Sequence, residues 1–433
     1  MTWPLGRAPT EAAAAPAAAP APQASYPLPT GRGRWRLTLH ERQFSSSTQY
    51  DSTIISEISH ARSRRLEQAW NKPATFSFTV DGTSAAAGLI RELMTDVVVW
   101  RWDEARKDVP VFRGIVAQSQ DTLSEQANSV TFTCHDYLAM LERRLLPAKV
   151  TYLQSDQDDL VTALVGKAKA ALASDGSSFG AGAYLPLQTY KVDPAGATRN
   201  SKSGQLRDRT YEAQQKIDEA VFNLAAVEAG FDFDAIPNVY GTDLLRIFYP
   251  YQGVLRTDLV LDWGGNLSTV SRTVNSADYS NYWRVVGASS DANNADAPPM
   301  YAEKWNTDSN NVTIAPVGLW QSGDNASDVS LQATLNDKAG ANLSQSGILL
   351  PSYSLGLRPG WYTWGNPSMG DVIRLRIRAG RLDVDSDVRV LGLTYDIGDD
   401  GQEDVQLTVG RPDITFGDLF TRADRDINAL ARR

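Results

Sequence analysis

Cysteine is almost absent: Cys134 is the single one in 433 residues. No disulfide can form within the chain, and no zinc site built from several cysteines. Histidine is nearly as scarce, with His40, His60 and His135 the three present. No HExxH or GxSxG spacing occurs, which removes the commonest zinc-hydrolase and serine-hydrolase signatures. Cys134 and His135 are adjacent, so on a strand they point to opposite faces. That geometry argues against a Cys/His nucleophile pair and for Cys134 as a small buried hydrophobe. No run of about 18 apolar residues is found, so no segment reads as a membrane-spanning helix. Basic residues are also in deficit: 42 Lys+Arg against 51 Asp+Glu leave a net charge of −9. A generally acidic chain is poorly suited to gripping nucleic acid.

What is present is strand patterning. Residues 1–30 are Ala/Pro-rich and read as an extended, flexible arm, without the apolar core and basic start of a signal peptide. From Trp35 the pattern alternates. "RWRLTLHER" places Trp35, Leu37 and Leu39 on one side, and "ATFSFTVDG" places Phe76, Phe78 and Val80 on one face. Residues 31–147 thus read as an antiparallel β domain closed by a short helix near Tyr137, Leu138 and Leu141. Residues 148–260 read as a small α+β insertion. It holds one helix capped by Asp156, a Gly/Ser-rich loop at 176–182 and, within 208–236, a second helix of roughly four to five turns with Ile217, Val221, Leu224 and Val227 near one face and Gly230 as its stop. Residues 261–414 return to strands and carry a third helix with Leu331, Leu335 and Leu343 in register. Residues 415–433 form a C-terminal tail. The fold class is mainly β with an α+β insertion.

Two stretches share a form. "GIVAQSQDTLSEQANSVTFTCHD" and "VLGLTYDIGDDGQEDVQLTVGRPD" each read as a strand, a polar turn and a second strand, with Asp400-Gly401 suited to the later turn. The two β regions are therefore expected to be copies of one unit.

Three features could carry chemistry. "DVIRLRIRAG" sets Arg374, Arg376 and Arg378 on one strand face, opposite Ile373, Leu375 and Ile377. The following "LDVDSDVRV" offers Asp383, Asp385 and Asp387 with the same period, so a cross-strand Arg/Asp ladder is expected. Such a face is either a solvated surface or a subunit or ring contact. The same three aspartates imitate the first ligands of a calcium loop, but Val388 replaces the turn glycine and Thr394 the closing glutamate. "GWYTWGNP" brings together Trp361, Tyr362 and Trp364, which could stack on sugars if exposed and would pack under loops if not. No paired acids stand out as a hydrolase site.

The order of parts resembles the baseplate hub, or tail-hub minor tail proteins, of tailed bacteriophages. The resemblance spans residues 34–412. It is carried by "PVFRGIVAQSQDTLSEQANSVTFTCHDYLAMLERRLL", by "AVFNLAAVEAGFDFDAI" with "DLLRIFYPYQG", and by "LDWGGNLSTVSRTVNSADYSNYWRVVG" with the closing strands. It implies two tube-type antiparallel β domains flanking the α+β domain, no enzyme activity and no cofactor. It further implies a homotrimer at the virion tail tip, assembled in the host cytoplasm. The implied neighbours are the distal tail protein, the tape measure protein, and tip, fibre or receptor-binding proteins, with DNA passing through unbound. Three chains at −9 would carry −27, and carboxylates in a lumen would repel passing phosphates. Some hub proteins continue into a peptidase or lysozyme-like domain, and none is expected here. The N-terminal arm departs from the family pattern and reads as an anchor to a neighbouring tail protein. A host-surface carbohydrate-binding protein and a cell-wall hydrolase are the alternatives.

Overall fold

The computed structural model describes residues 34–44, 50–103, 107–125, 127–170, 185–225, 229–238, 242–274, 276–277, 279–289, 298–306, 317–325, 332–347, 351–362 and 364–410. The arm at 1–30, the loop at 176–182, Leu331 and the tail at 415–433 lie outside them.

The first β region runs β1 (Arg34–Phe44), β2 (Tyr50–Ile58), β3 (Arg62–Ala69), β4 (Thr75–Asp81), α1 (Ala85–Leu89), β5 (Thr95–Asp103), β6 (Lys107–Leu123) and β7 (Asn128–Asp136). A 3-10 helix over Tyr137–Arg143 closes it. Alternation decides the faces. Phe76, Phe78 and Val80 are buried, and Cys134 lies among them while His135 points away. Phe76 meets Phe78 and Phe112 at ring separations of 5.8 and 5.7 Å, and Phe78 meets Phe132 at 5.5 Å. Each such side chain contributes roughly 1.5–3 kcal/mol by leaving water.

The insertion contains β8 (Val150–Asp156), α2 (Gln157–Ala170), β9 (Leu187–Val192), β10 (Leu206–Tyr211), α3 (Ile217–Ala225), β11 (Asp232–Ile236) and β12 (Asp243–Phe248). Strands β9, β12 and β11 form a small sheet, and α2 and α3 share its core of Leu160, Leu164, Val221, Leu224, Phe233 and Ile247. Asp156 caps α2, accepting from the Asp158 amide at 3.0 Å. The second helix is shorter than its pattern suggests. Residues before Ile217 include β10, which pairs with β8 and buries Tyr211. After Tyr211 the backbone of Gln214, Gln215 and Ile217 bonds to Leu146 and Arg144, which outweighs the helix propensity of "YEAQQK", a weak prior.

The second β region runs β13 (Leu255–Asp262), β14 (Leu267–Val274), β15 (Tyr282–Ser289), β16 (Pro299–Trp305), β17 (Gln321–Asn325), α4 (Gln332–Ser346), β18 (Pro351–Leu357), β19 (Val372–Ala379), β20 (Leu382–Ile397) and β21 (Glu403–Gly410). Its strand order β14-β18-β21-β20-β19 repeats the order β3-β4-β7-β6-β5 of the first region, antiparallel at every step. In both, the long middle strand pairs first with its predecessor and then with its successor. It is bulged at Val116/Gln118 in β6 and at Val390/Gly392 in β20. The sixth strand differs: β1 joins β5 antiparallel, whereas β13 joins β19 parallel. A further module, β15 to β17 with α4, is inserted between β14 and β18, where the first copy has a tight hairpin. The two copies join edge to edge, β20 pairing with β3 from Gly392↔Ala69 to Ile397↔Arg64. One apolar core runs beneath both.

Candidate functional site

Strands β19 and β20 are joined by Gly380-Arg381. A two-residue hairpin turn needs a positive φ, and Gly380 supplies one at +57°. That turn sets the register Arg374↔Asp387, Arg376↔Asp385 and Arg378↔Asp383. Ile373, Leu375 and Ile377 point the other way into the core. On the outer face Arg374 Nε donates to Asp385 at 2.7 Å, and its Nη1 reaches Asp387 at 3.3 Å. Arg376 lies 3.6 Å from Asp385 and Arg378 3.8 Å from Asp383. Hydrogen bonding from Arg374 lowers the Asp385 pKa, and Asp385 in turn raises that of Arg374. Asp262 on β13 stands beside Arg376, so the patch carries four aspartates to three arginines. All six ladder residues are open to water, where ion pairs add little to stability. The ladder fixes register and presents a charged pattern.

The same face of β20 continues into the interior. Two residues beyond Asp387, Arg389 is buried under the insertion. Its Nη2 donates to Asp232 at 2.5 Å and to the Gln252 carbonyl at 2.8 Å, and its guanidinium lies 4.4 Å over Trp70. Asp232 also accepts from Asn71 and from the Gln252 amide. The first copy has a counterpart in Arg113 of β6, set two residues further ahead of its bulge than Arg389 is in β20. Its side chain is 1% exposed, and it pairs with Asp243 at 3.2 Å and approaches Asp96 at 3.8 Å. Ile115 and Leu391, each two residues on, both pack against the insertion core. Each copy therefore sends one arginine into the insertion, to the first residue of β11 or of β12. Sequence reasoning found neither arginine. The signal was faint: a cation in phase with a strand face whose next outward residue is apolar.

Other titratable groups gather at this joint. His40 is pushed down to about 4, first by burial and then by Arg113. Asp136 is buried; its oxygens accept from the Ala74 and Leu138 amides at 2.8 and 3.0 Å, yet burial raises its pKa to about 7. The folded state then holds a proton between about pH 4 and 7 that the unfolded chain has released. This stabilising term is full below about pH 4, is lost as pH rises to about 7, and is flat above. Urea midpoints at about pH 5 and 8 should differ less in Asp136→Asn than in the native chain. An equal or larger difference in the variant would refute the assignment.

The aromatic trio lies at the seam between the copies. Trp364 meets Trp35 edge-on at 5.6 Å and Tyr395 at 4.7 Å, and Arg101 sits 5.3 Å over it. The Tyr362 and Tyr395 hydroxyls bond at 2.7 Å, and Trp361 packs on the shared core. The three rings are half-buried in this seam. Asp383, Asp385 and Asp387 lie along an extended strand and are turned to arginines rather than wrapped around one point.

No protein-family model matches the chain, and no curated protein is similar to it in sequence. Solved structures are similar. A 43 kDa tail protein of prophage MuSo2 from Shewanella oneidensis superposes with a TM-score of 0.54 at 9% identity, covering 88% of this chain and 99% of that one. A tail protein from Neisseria meningitidis MC58 gives 0.50 at 10% identity, covering 89% and 98%. At such identities the likeness is one of fold. The chain has the fold of phage tail proteins, as the resemblance in its sequence implied.

Proposed function

We propose that the chain is a non-enzymatic structural hub of a phage tail tip. Three copies form a ring that adapts the hexameric tail tube, or its distal tail protein, to the tip. The ring encloses the channel for the tape measure protein and DNA. The observation that carries this reading is the internal repeat. A chain with two similar five-stranded units gives a threefold ring six similar units, which is what a sixfold neighbour requires. The fold shared with prophage tail proteins supports the same reading. Electron cryo-microscopy of intact tail tips tests it. Three copies around the axis with both repeats lining a channel are expected; density only at the rim or on fibres would refute it. Zymography on peptidoglycan tests the absence of hydrolase activity, and a cleared zone would overturn that part.

The exposed ladder is assigned to a subunit or ring contact. Arg376→Glu should leave the thermal midpoint of the isolated chain unchanged, because the residue is open to water. It should reduce incorporation into tails, because reversal sets it against Asp385 and changes the pattern met by a neighbour. Normal tail assembly by the variant would make the ladder a solvated face only.

A further inference from the structure

The inserted module β15 to β17 has two unlike faces. Helix α4 covers one, burying Val285, Ala302, Leu335 and Ala339, and the Trp283 indole donates to Ser346 of the helix. Lys338 of α4 reaches Asp324 at 3.3 Å, which fixes the helix side of β17. The register then sets the opposite face as a grid: Trp305, Tyr282 and Gln321 in one row, Glu303, Arg284 and Gly323 in the next, Tyr301, Val286 and Asn325 in the third. Tyr301 is 52% exposed, Trp305 48% and the adjoining Trp320 50%. Asn281 holds the end of this grid, accepting from the Trp320 amide at 2.9 Å and, through its carbonyl, from the Asn306 amide at 2.9 Å.

We infer that this open sheet face is a binding platform for a neutral glycan. Aromatic rings stand at both ends, four residues apart on β16, or about 13 Å along an extended strand. Between them lies a charge-balanced pair. Arg284 is 3.7 Å from Glu303 and its guanidinium lies 4.6 Å over Tyr301, while Glu303 also accepts from the Tyr282 hydroxyl. Gln321 and Asn325 add planar amides along the far edge, and Gly323 leaves the middle of that edge low. A protein interface is organised around a continuous apolar centre with a polar rim. Here the arrangement is inverted, with apolar rings outside and polar groups at the centre. A sugar chain offers the complement: apolar C–H faces for the rings and hydroxyls for carboxylate, guanidinium and amide groups. Balanced charge favours a neutral chain over an acidic one.

The test is isothermal titration of the full chain with maltohexaose, laminarihexaose, chitohexaose and mannohexaose. Saturable binding to at least one is expected, weakened about ten-fold, or about 1.4 kcal/mol, by Trp305→Ala. The pair Gln321→Ala and Asn325→Ala, both at exposed positions, should weaken it as well and decides the matter if Trp305→Ala fails to fold. No saturable binding to any of the four, or binding that both variants leave intact, overturns the inference. Loss of tail incorporation in these variants without sugar binding would make the face a protein interface instead, which also overturns it.

Discussion

Replacing Arg389 by alanine should cost about 3–5 kcal/mol of stability, because it strands a buried carboxylate. Asp232 would keep its bonds from Asn71 and the Gln252 amide but lose the guanidinium that balances its charge, and Trp70 would lose the guanidinium over its ring. Three parts of the molecule meet at this point. Asn71 comes from the first repeat, Asp232 from the insertion and Arg389 from the second repeat. The loss should therefore appear as earlier separation of the insertion in a urea titration, followed by hydrogen exchange in β11 and β12. Removing both charges in Asp232→Ala/Arg389→Met should cost less than the two single changes together. A single-variant loss below about 1 kcal/mol would mean that water or a neighbouring group replaces the arginine.

Gly253→Ala is expected to be as severe. The residue sits in the link from β12 to β13 at φ +88°, where a side chain is strained in any case. A Cβ there would lie 2.1 Å from the carbonyl carbon of Gly370, and backbone cannot swing aside as a side-chain tip can. Gly370 has φ +83°, and a Cβ on it would lie 2.3 Å from the Gln252 carbonyl oxygen. Two bare backbones cross there. Positive-φ strain of about 1–3 kcal/mol adds to overpacking of similar size, giving about 3 kcal/mol or more. Soluble expression and a denaturation midpoint would check this, and a midpoint equal to the native one would refute it. Gly360→Ala is the control, since it has φ +82° but open space around it and so carries the strain alone.

Much of the β architecture was legible because period two is an unambiguous signal when one face is apolar. Ile373, Leu375 and Ile377 against three arginines, followed by a counter-alternation of aspartates, define a hairpin and its register almost without help. The hairpin likeness between the regions around Val116 and Leu393 was also visible, since strand length and turn position survive when residue identities do not. The joint was not legible. Arg113 and Arg389 each stand alone in the sequence, and the carboxylates that hold them are 130 and 157 positions away. Composition also misled. Alanine, glutamine and glutamate before Ile217 favour helix, but residues 144–146 offer backbone partners that local propensity does not record. The trio at Trp361, Tyr362 and Trp364 could stack on sugar, although packing under loops is the commoner fate of such a cluster. Its ring partners, Trp35 and Tyr395, are distant in sequence and are brought near by the strand pairing.

The pairing of β3 with β20 has a consequence for synthesis. The Arg64 guanidinium donates to the carbonyl of Gly398, 334 positions later. At translation speeds of about 5–20 residues per second, that span takes roughly 15–70 s to make. During that time the first repeat can fold, but its β3 edge has no partner. An unpaired edge is a template for any other strand, including β3 of a neighbouring nascent chain. Polysomes crowded with such chains are where misassembly would begin, and a chain stopped before residue 392 would keep its β3 edge unpaired.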